Sequence, residues 1–513
     1  MTHGGRTLSY GELWEQILAL SGAYRALDIR PGDRVVCQLP TSPEHIIAAG
    51  AAWACGAIHV GAHKDLTGPE LAALVGRTQA AVIVFQPTPG AADALAPVRA
   101  VRAAHPDTAA IVHGHPPQDG EQPLSQLLLR GPVPPPRAPV HSDPDDVDLL
   151  LLTSGTTGEP KAVMETLPAL WAKMQFFADV VAPGPDDVHL MYLPVCHAFG
   201  LKLTLMALAS GGRLVFADQF SAAHALRLVS DEQVTILPAT PTHLALLLRD
   251  LDPGRHPVGS LRWVVSAAAA LAPNLSAGVY DRLNAELLYV YGCSEGFLTQ
   301  TADRDEIRGG SVGTQVFRSP DATIAPDGSV AILDPDRDLP LAAGEIGEIA
   351  FGASRAVRYW GEPAPTGDAA WYRTGDLGRL DEHGRLIVSG RIKEVVNRGG
   401  LKVACGEVEA ALARHPAVAD CAVIPAPDPI LGEAICACVV LRDTSPPTLT
   451  DVRCELGERL ARQKLPDELC VVESLPRTSV GKLDRAALAA LVVEGDLPRT
   501  RYRPRAASVG DGR

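Results

Sequence analysis

Apolar runs of strand length alternate with helix-period stretches along most of this chain. Residues 34–39 and 81–85 are short runs dense in Val, Ile and Phe, and such runs predict buried strands. Ser9 Tyr10 Gly11 Glu12 Leu13 predicts the start of a helix that ends before Arg30 Pro31 Gly32 Asp33, and residues 46–55 predict a second. Strand and helix in alternation imply an α/β class with parallel sheets. Two breaks interrupt the pattern. Residues 130–137 hold four prolines and one glycine, too many for a helix or a central strand, so a surface linker between two subdomains is expected there. Beyond Gly390 the elements shorten, with a strand-like stretch at 385–389 and a helix at 407–414 stopped by Pro416. We therefore expect a large domain over 1–391, a small one over 392–496, and a flexible tail over 497–513.

Length and charge add bounds to this picture. A chain of 513 residues exceeds what one core usually supports. Its 46 basic and 60 acidic residues give a net charge of -14, which opposes binding to nucleic acid or anionic membranes. The polar N-terminus lacks a signal-like apolar core, and residues 46–62, although apolar, are interrupted by His59. A cytoplasmic protein without a membrane span is expected. Ten cysteines include no pair at C-x-x-C spacing, so buried reduced thiols are expected, with Cys436 and Cys438 on one face of a strand.

Five stretches carry candidate chemistry. Thr153 Ser154 Gly155 Thr156 Thr157 Gly158 Glu159 Pro160 Lys161 follows an apolar run. A strand opening into small and hydroxylated residues lets backbone N–H and side-chain O–H groups wrap a phosphate. The spacing to Lys161 is wrong for a Walker A loop. In Tyr291 Gly292 Cys293 Ser294 Glu295 Gly296 a hydroxyl stands beside a carboxylate, a pairing suited to phosphate and Mg²⁺ together. The same residues also match the G-x-S-x-G nucleophile elbow of hydrolases. Thr374 Gly375 Asp376 sets a carboxylate on what reads as a tight glycine turn, shaped to accept ribose hydroxyls. Residues 389–402 gather Arg391, Lys393, Arg398 and Lys402 around glycines, an electropositive segment that can face an anion. Finally, Lys482 sits on the loop Thr478 Ser479 Val480 Gly481 Lys482, where a swinging cation could neutralise charge on phosphate.

In this order the five stretches resemble the motif series of the adenylate-forming superfamily, which includes acyl-CoA synthetases, peptide-synthetase adenylation domains and firefly luciferase. The resemblance covers residues 8–488. It implies a large N-terminal domain of αβαβα-type subdomains and a small mobile α+β C-terminal domain. It also implies ATP and Mg²⁺ as cofactors. Thr153, Ser154, Gly155, Thr156, Thr157, Gly158 and Lys161 would hold the β- and γ-phosphates; Tyr291 would lie near adenine, Ser294 at the α-phosphate, and Asp376 with Arg391 at the ribose. Glu295, with Thr156, would bind the metal. Lys393 would be the hinge, and Lys482, Glu295 and His197 would carry the catalytic work.

Leu193 Pro194 Val195 Cys196 His197 Ala198 Phe199 Gly200 resembles the acyl-pocket motif of coenzyme A ligases, and it holds no acid for an amino-acid ammonium group. His197, Phe199, Ala267, Ala268, Ala269 and Gly292 are the implied acyl pocket. Ser266 Ala267 Ala268 Ala269 Ala270 Leu271 stands where the family usually has Ser-Gly-Gly-Ala-Pro-Leu, so a restricted or unusually shaped carboxylic acid is expected. Arg398, Gly399 and Gly400 would face the coenzyme A tunnel. Coenzyme A is the expected acceptor; a separate carrier protein, an amine acceptor and a homodimer stay open. A hydrolase built on Ser294 would need a late histidine such as His383 or His415, and would leave Lys482 and the 153–161 loop without a role.

Overall fold

Ser9 opens the first helix, Tyr10–Ala26, with a reciprocal cap: its side chain accepts from the Glu12 amide, while the Glu12 carboxylate accepts from the Ser9 amide at 2.8 Å. The helix Pro43–Ala54 follows the strand Arg34–Gln38. The computed structural model describes residues 1–501 except 88–93, 119, 135–145, 154–160, 318–329, 336, 338, 353–357, 363–370, 399–400, 443–445, 478–482 and 494–496. The expected linker falls partly outside the described residues; Val133, within it, packs on the helix position of Gly22.

Two sheets organise the first part of the chain. One has seven strands, in the order Glu121–Pro123, Ala109–Val112, Val82–Phe85, Arg34–Gln38, Ile58–Gly61, Leu149–Thr153 and Lys161–Glu165, parallel except for the last. The other has nine, with Glu286–Gly292, Trp263–Ser266, Ile236–Ala239, Val188–Met191 and Arg213–Phe216 as its parallel centre. Thr2–His3 adds to one edge beside Arg213–Phe216, and the antiparallel Leu298–Thr301 to the other side. Period-two burial explains how the sheets stack. Val35 and Val84 point into a core shared with Val265 of the second sheet and with Tyr24 and Ile47 of the helices between. Their neighbours Val36 and Ile83 point the other way, onto Leu71 and Leu74 of the helix Gly68–Thr78. Strands buried on both faces read as continuous apolar runs.

A third, antiparallel sheet joins Val330–Leu333, Gly347–Gly352, Trp371–Leu380 and Leu386–Arg391. The chain then crosses residues 392–394 into a six-stranded sheet built on the hairpin Val418–Asp428 and Gly432–Leu441. One face of that hairpin packs Val423 and Ile435 against Val408 and Val452. The other packs Cys436 and Cys438 against Cys470 and Leu488, so the two cysteines do share a face and all three are buried thiols. At the junction, a Cβ on Gly406 would collide with the Ser389 carbonyl. Glycine thus lets the helix Cys405–Leu412 abut the third sheet.

Two expectations change. The segment from residue 497 is not a tail throughout, because Arg499–Arg501 pairs with Glu468–Val471 as an edge strand, and Arg499 lies 3.2 Å from the Glu468 carboxylate. Asp376 is not on a tight turn but inside the long strand Trp371–Leu380. Opposite Ile349 the strand bulges over residues 374–376, with Gly375 at a φ of +74°, a conformation that favours glycine. Among the described residues no helix is long and apolar enough to cross a membrane.

Candidate functional site

Residues from three distant segments meet at the end of Glu286–Gly292. The Tyr291 hydroxyl donates to one oxygen of Asp376 at 2.7 Å, and the Arg391 guanidinium lies 3.0 Å from the other. Asp376 and Arg391 are register partners on adjacent antiparallel strands, which brings the side chains together. Burial, then the charge of Asp376, pushes the Tyr291 phenol far above its usual range, so it stays a donor at neutral pH. Behind it, the Phe297 ring stacks on both Phe351 and Tyr372 at 4.7 Å. These rings form a rigid apolar floor under a polar rim.

The carboxylate of Glu295 accepts from the Tyr359 hydroxyl at 3.1 Å. Tyr359 is bridged to Val163, and Trp360 donates its amide to the Ala162 carbonyl, so this segment runs along the strand Lys161–Glu165. The Lys161 ammonium lies 4.5 Å from the Tyr359 ring centroid and 3.2 Å from Glu362. Thr153 and Lys161 are partners at the base of a hairpin whose tip is 154–160. Ser154, Gly155, Thr156, Thr157 and Gly158 therefore lie outside the described residues. So do Lys482, Gly399 and Gly400, but the base of the Lys482 loop is described: Arg477 bridges Leu483, and the Arg477 guanidinium donates to Thr242 of the large domain at 2.6 Å. Lys393 falls between the third and fourth sheets.

Arg398 stands apart from this cluster. Its guanidinium makes two 2.7 Å hydrogen bonds to Asp467, an ion pair internal to the small domain. That pairing raises the Arg398 pKa and commits the side chain to bracing two strands. Its expected approach to a thiol substrate gains nothing from this geometry.

On the acid-facing side, His197 stands immediately before the helix Ala198–Ala209, with no capping hydrogen bond from its side chain, and stacks on His63 at 5.7 Å. Phe199 is half-buried. Gly292 has to be glycine, since a Cβ there would meet Leu298 and come within 2.6 Å of the Phe297 carbonyl. Ala267 is buried while Ala268 and Ala269 are exposed, and Ala268 adopts a φ of +78°. An alanine thus occupies a left-handed conformation that glycine accepts without strain.

The hydrolase reading fails on this geometry. A nucleophile elbow needs a strand, a turn and a helix, whereas the turn carrying Ser294 leads into the antiparallel strand Leu298–Thr301. His383 lies exposed beside Glu382, and His415 pairs with Glu455 at 3.2 Å in the small domain. Among the described residues no group of three or more His, Cys, Asp or Glu is arranged to hold a metal. Glu295 instead offers one carboxylate, which suits a hard cation that takes its other ligands from phosphate and water.

Several participants escaped the sequence reading. Tyr359, Phe351 and Phe297 lie outside the stretches singled out, although the neighbouring aromatics Tyr359 and Trp360 were a signal, and Tyr372 lies within one but had no role assigned. Lys173 and Glu165 form a fully buried ion pair at 2.7 Å, 1% and 4% exposed, with the buried Lys202 close by. Helical periodicity shows that such residues face inward only if their charge is ignored.

Comparison with known proteins agrees with this arrangement. Residues 1–359 match the AMP-binding enzyme family, and residues 407–482 match the AMP-binding enzyme C-terminal domain. One relative is a 2-hydroxy-7-methoxy-5-methyl-1-naphthoate–CoA ligase from Streptomyces carzinostaticus, 32% identical over 96% of this chain and 89% of its own. Another is a salicylyl-CoA synthase / salicylate adenylyltransferase from a Streptomyces species, 32% identical over 95% of this chain and 90% of its own. Among solved structures, ATP-bound MatB from Rhodopseudomonas palustris superposes with a TM-score of 0.81 at 26% identity, covering 95% of this chain and 94% of that one. With one family match over residues 1–359, most of its length, and a second over 407–482, the chain belongs to the AMP-binding enzyme family.

Proposed function

We propose that this AMP-forming acid–CoA ligase acts on a hydroxylated aromatic carboxylic acid. The ligase class follows from the family and the relatives; the class of acid and the role of each residue are the proposal. The observation that carries the residue roles is the meeting of Tyr291, Asp376 and Arg391 beside Glu295, Tyr359 and Lys161. A ribose acceptor, a phosphate-facing cation and a metal-ready carboxylate are the groups that an adenylation needs side by side. The acid class draws on the two relatives named for 2-hydroxynaphthoate and salicylate.

In this reading the ribose hydroxyls donate to Asp376, with Arg391 holding the carboxylate in place, and the Tyr291 ring faces adenine. Ser294 meets the α-phosphate, and Lys161 with the 153–158 loop meets the β- and γ-phosphates. Glu295 fits Mg²⁺, with Thr156 as a second ligand; the ion would draw charge off the phosphate oxygens. The acid lies along His197, Phe199, Gly292 and the wall from Ala267 to Ala269. Its carboxylate attacks the α-phosphorus and pyrophosphate leaves, while Lys482 offsets the charge where two anions approach. A thiol then displaces AMP from the acyl-AMP after the domain over 392–496 turns about Lys393 and presents Gly399 and Gly400. Arg398 belongs to that domain's internal bracing.

Exchange of labelled pyrophosphate into ATP, dependent on an added aromatic acid, tests the first half-reaction, and thioester formation with coenzyme A tests the second. Lys482→Ala should abolish exchange and leave thioester formation from supplied acyl-AMP largely intact. Exchange with aliphatic acids alone would overturn the acid class. Product only with a carrier protein or an amine would overturn coenzyme A as acceptor.

A further inference from the structure

We infer that Lys202 forms a subsite for a second oxygen substituent on the acid, so that the enzyme favours aromatic acids bearing a phenolic hydroxyl or a further carboxylate. This inference rests on the ligase reading and deepens it.

Three observations converge on Lys202. The first is position. Lys202 lies on the helix Ala198–Ala209 that His197 precedes, three residues past Phe199 and four past Ala198. It therefore shares their face of the helix, at the level just beneath the acid-facing end. On the opposite wall its ammonium is within electrostatic range of Cys293, the residue between Gly292 and Ser294. It thus lies on the wall that carries Phe199 and acts electrostatically on the wall that carries Gly292.

The second is charge balance. Lys173, on the helix Leu167–Val181, holds both oxygens of Glu165 at 2.7 Å. Lys202, only 2% exposed, has no hydrogen-bond or ion-pair partner among the described residues. Two buried ammonium groups thus share one carboxylate, and the other group acting on Lys202, the Cys293 thiol, is pushed up in pKa by burial and then by Glu295 and stays neutral. A net buried positive charge without a partner is costly. The deficit is the kind that a bound anionic or acceptor oxygen would cancel, and an ammonium presents three donors for it.

The third is ionisation. Burial, followed by the repulsion of Lys173, lowers the Lys202 pKa to about 8. The group is therefore still cationic at neutral pH and loses its charge just above it. A buried cation with a perturbed pKa is a mark of functional sites.

The test uses the full-length enzyme and acid-dependent ATP–pyrophosphate exchange with benzoate, 2-hydroxybenzoate and phthalate. Benzoate carries only the reacting carboxylate; the other two add a hydroxyl or a second carboxylate beside it. For at least one of them, kcat/KM should exceed that for benzoate by about 10- to 100-fold, the worth of a hydrogen bond to a charged group. In Lys202→Met that ratio should collapse toward one, whereas the KM for ATP holds. Should the methionine variant not fold, the wild type alone decides. Phthalate stays doubly ionised from pH 7 to 9, so its advantage over benzoate should fall as the pH rises through about 8. A ratio that survives both the substitution and the pH change would make Lys202 a counter-charge for Glu165 alone and overturn the inference. Absence of exchange with every acid would overturn the ligase reading as well, which separates the two failures.

Discussion

Replacing Glu165 by glutamine leaves Lys173 and Lys202 as two buried cations with no carboxylate between them. The three residues are 4%, 1% and 2% exposed, so water cannot screen the change. Removing one partner of such a buried pair costs about 3–5 kcal/mol, because the other charge stays behind. The two possible deletions are not equivalent here. Glu165→Gln takes the cluster from one net positive charge to two. Lys173→Met takes it to zero, since Lys202 remains within electrostatic range of Glu165. We expect about 3–5 kcal/mol for the first and below about 2 kcal/mol for the second, the loss of charged hydrogen bonds without an orphaned charge. Urea unfolding followed by far-UV circular dichroism measures both, with Lys173→Met/Glu165→Gln closing the cycle. The deficit of Glu165→Gln should shrink between pH 7 and 9. Lys202 is at about 8 in the folded wild type, where Glu165 raises it; without Glu165 it falls further below the ~10.4 of an unfolded lysine, so the variant's stability starts to rise with pH earlier than the wild type's. A Lys173→Met variant as unstable as Glu165→Gln, or a deficit that ignores pH, would refute the reasoning.

Other consequences are as direct. Asp376→Ala should raise the KM for ATP by about 10- to 100-fold, since the acceptor of two donors is lost, while KM for the acid changes far less; steady-state kinetics with each substrate varied reads the split. Ala268→Gly relieves a left-handed alanine and should leave the melting midpoint level or raise stability by up to about 1 kcal/mol, after the flexibility that glycine adds to the unfolded chain. A marked fall in midpoint would show that the residue is not strained. His45, His189 and His243 are each lowered to about 4, in every case chiefly by desolvation. Their unfolded pKa is ~6.5, so stability should decline as pH falls from about 6.5 toward 4, by about 1.4 kcal/mol per unit for each group in that window. Urea midpoints flat between pH 7 and 5 would contradict this.

Much of this protein is determined by its sequence alone. The αβ alternation, the strand at 34–38 and the helix opened by Ser9 are local matters, decided by residue period and by a cap within four residues of chain. The motif stretches also announce their chemistry, because a phosphate loop or an acid beside a hydroxyl is legible wherever it stands. What sequence could not supply is adjacency. That Tyr291 donates to Asp376, and that Tyr359 reaches Glu295, depends on strand register across 85 and 64 residues of intervening chain. The same holds for Arg398, which reads as a free cation until Asp467, 69 residues on, is folded against it. Charge balance is likewise tertiary: Lys173 and Lys202 look like solvated helix residues, and only the packing of their helices around Glu165 turns them into buried cations. Local pattern sets the elements because it acts over a few residues. Pairing, burial and ionisation were decided by the fold because they arise only when distant segments exclude water together.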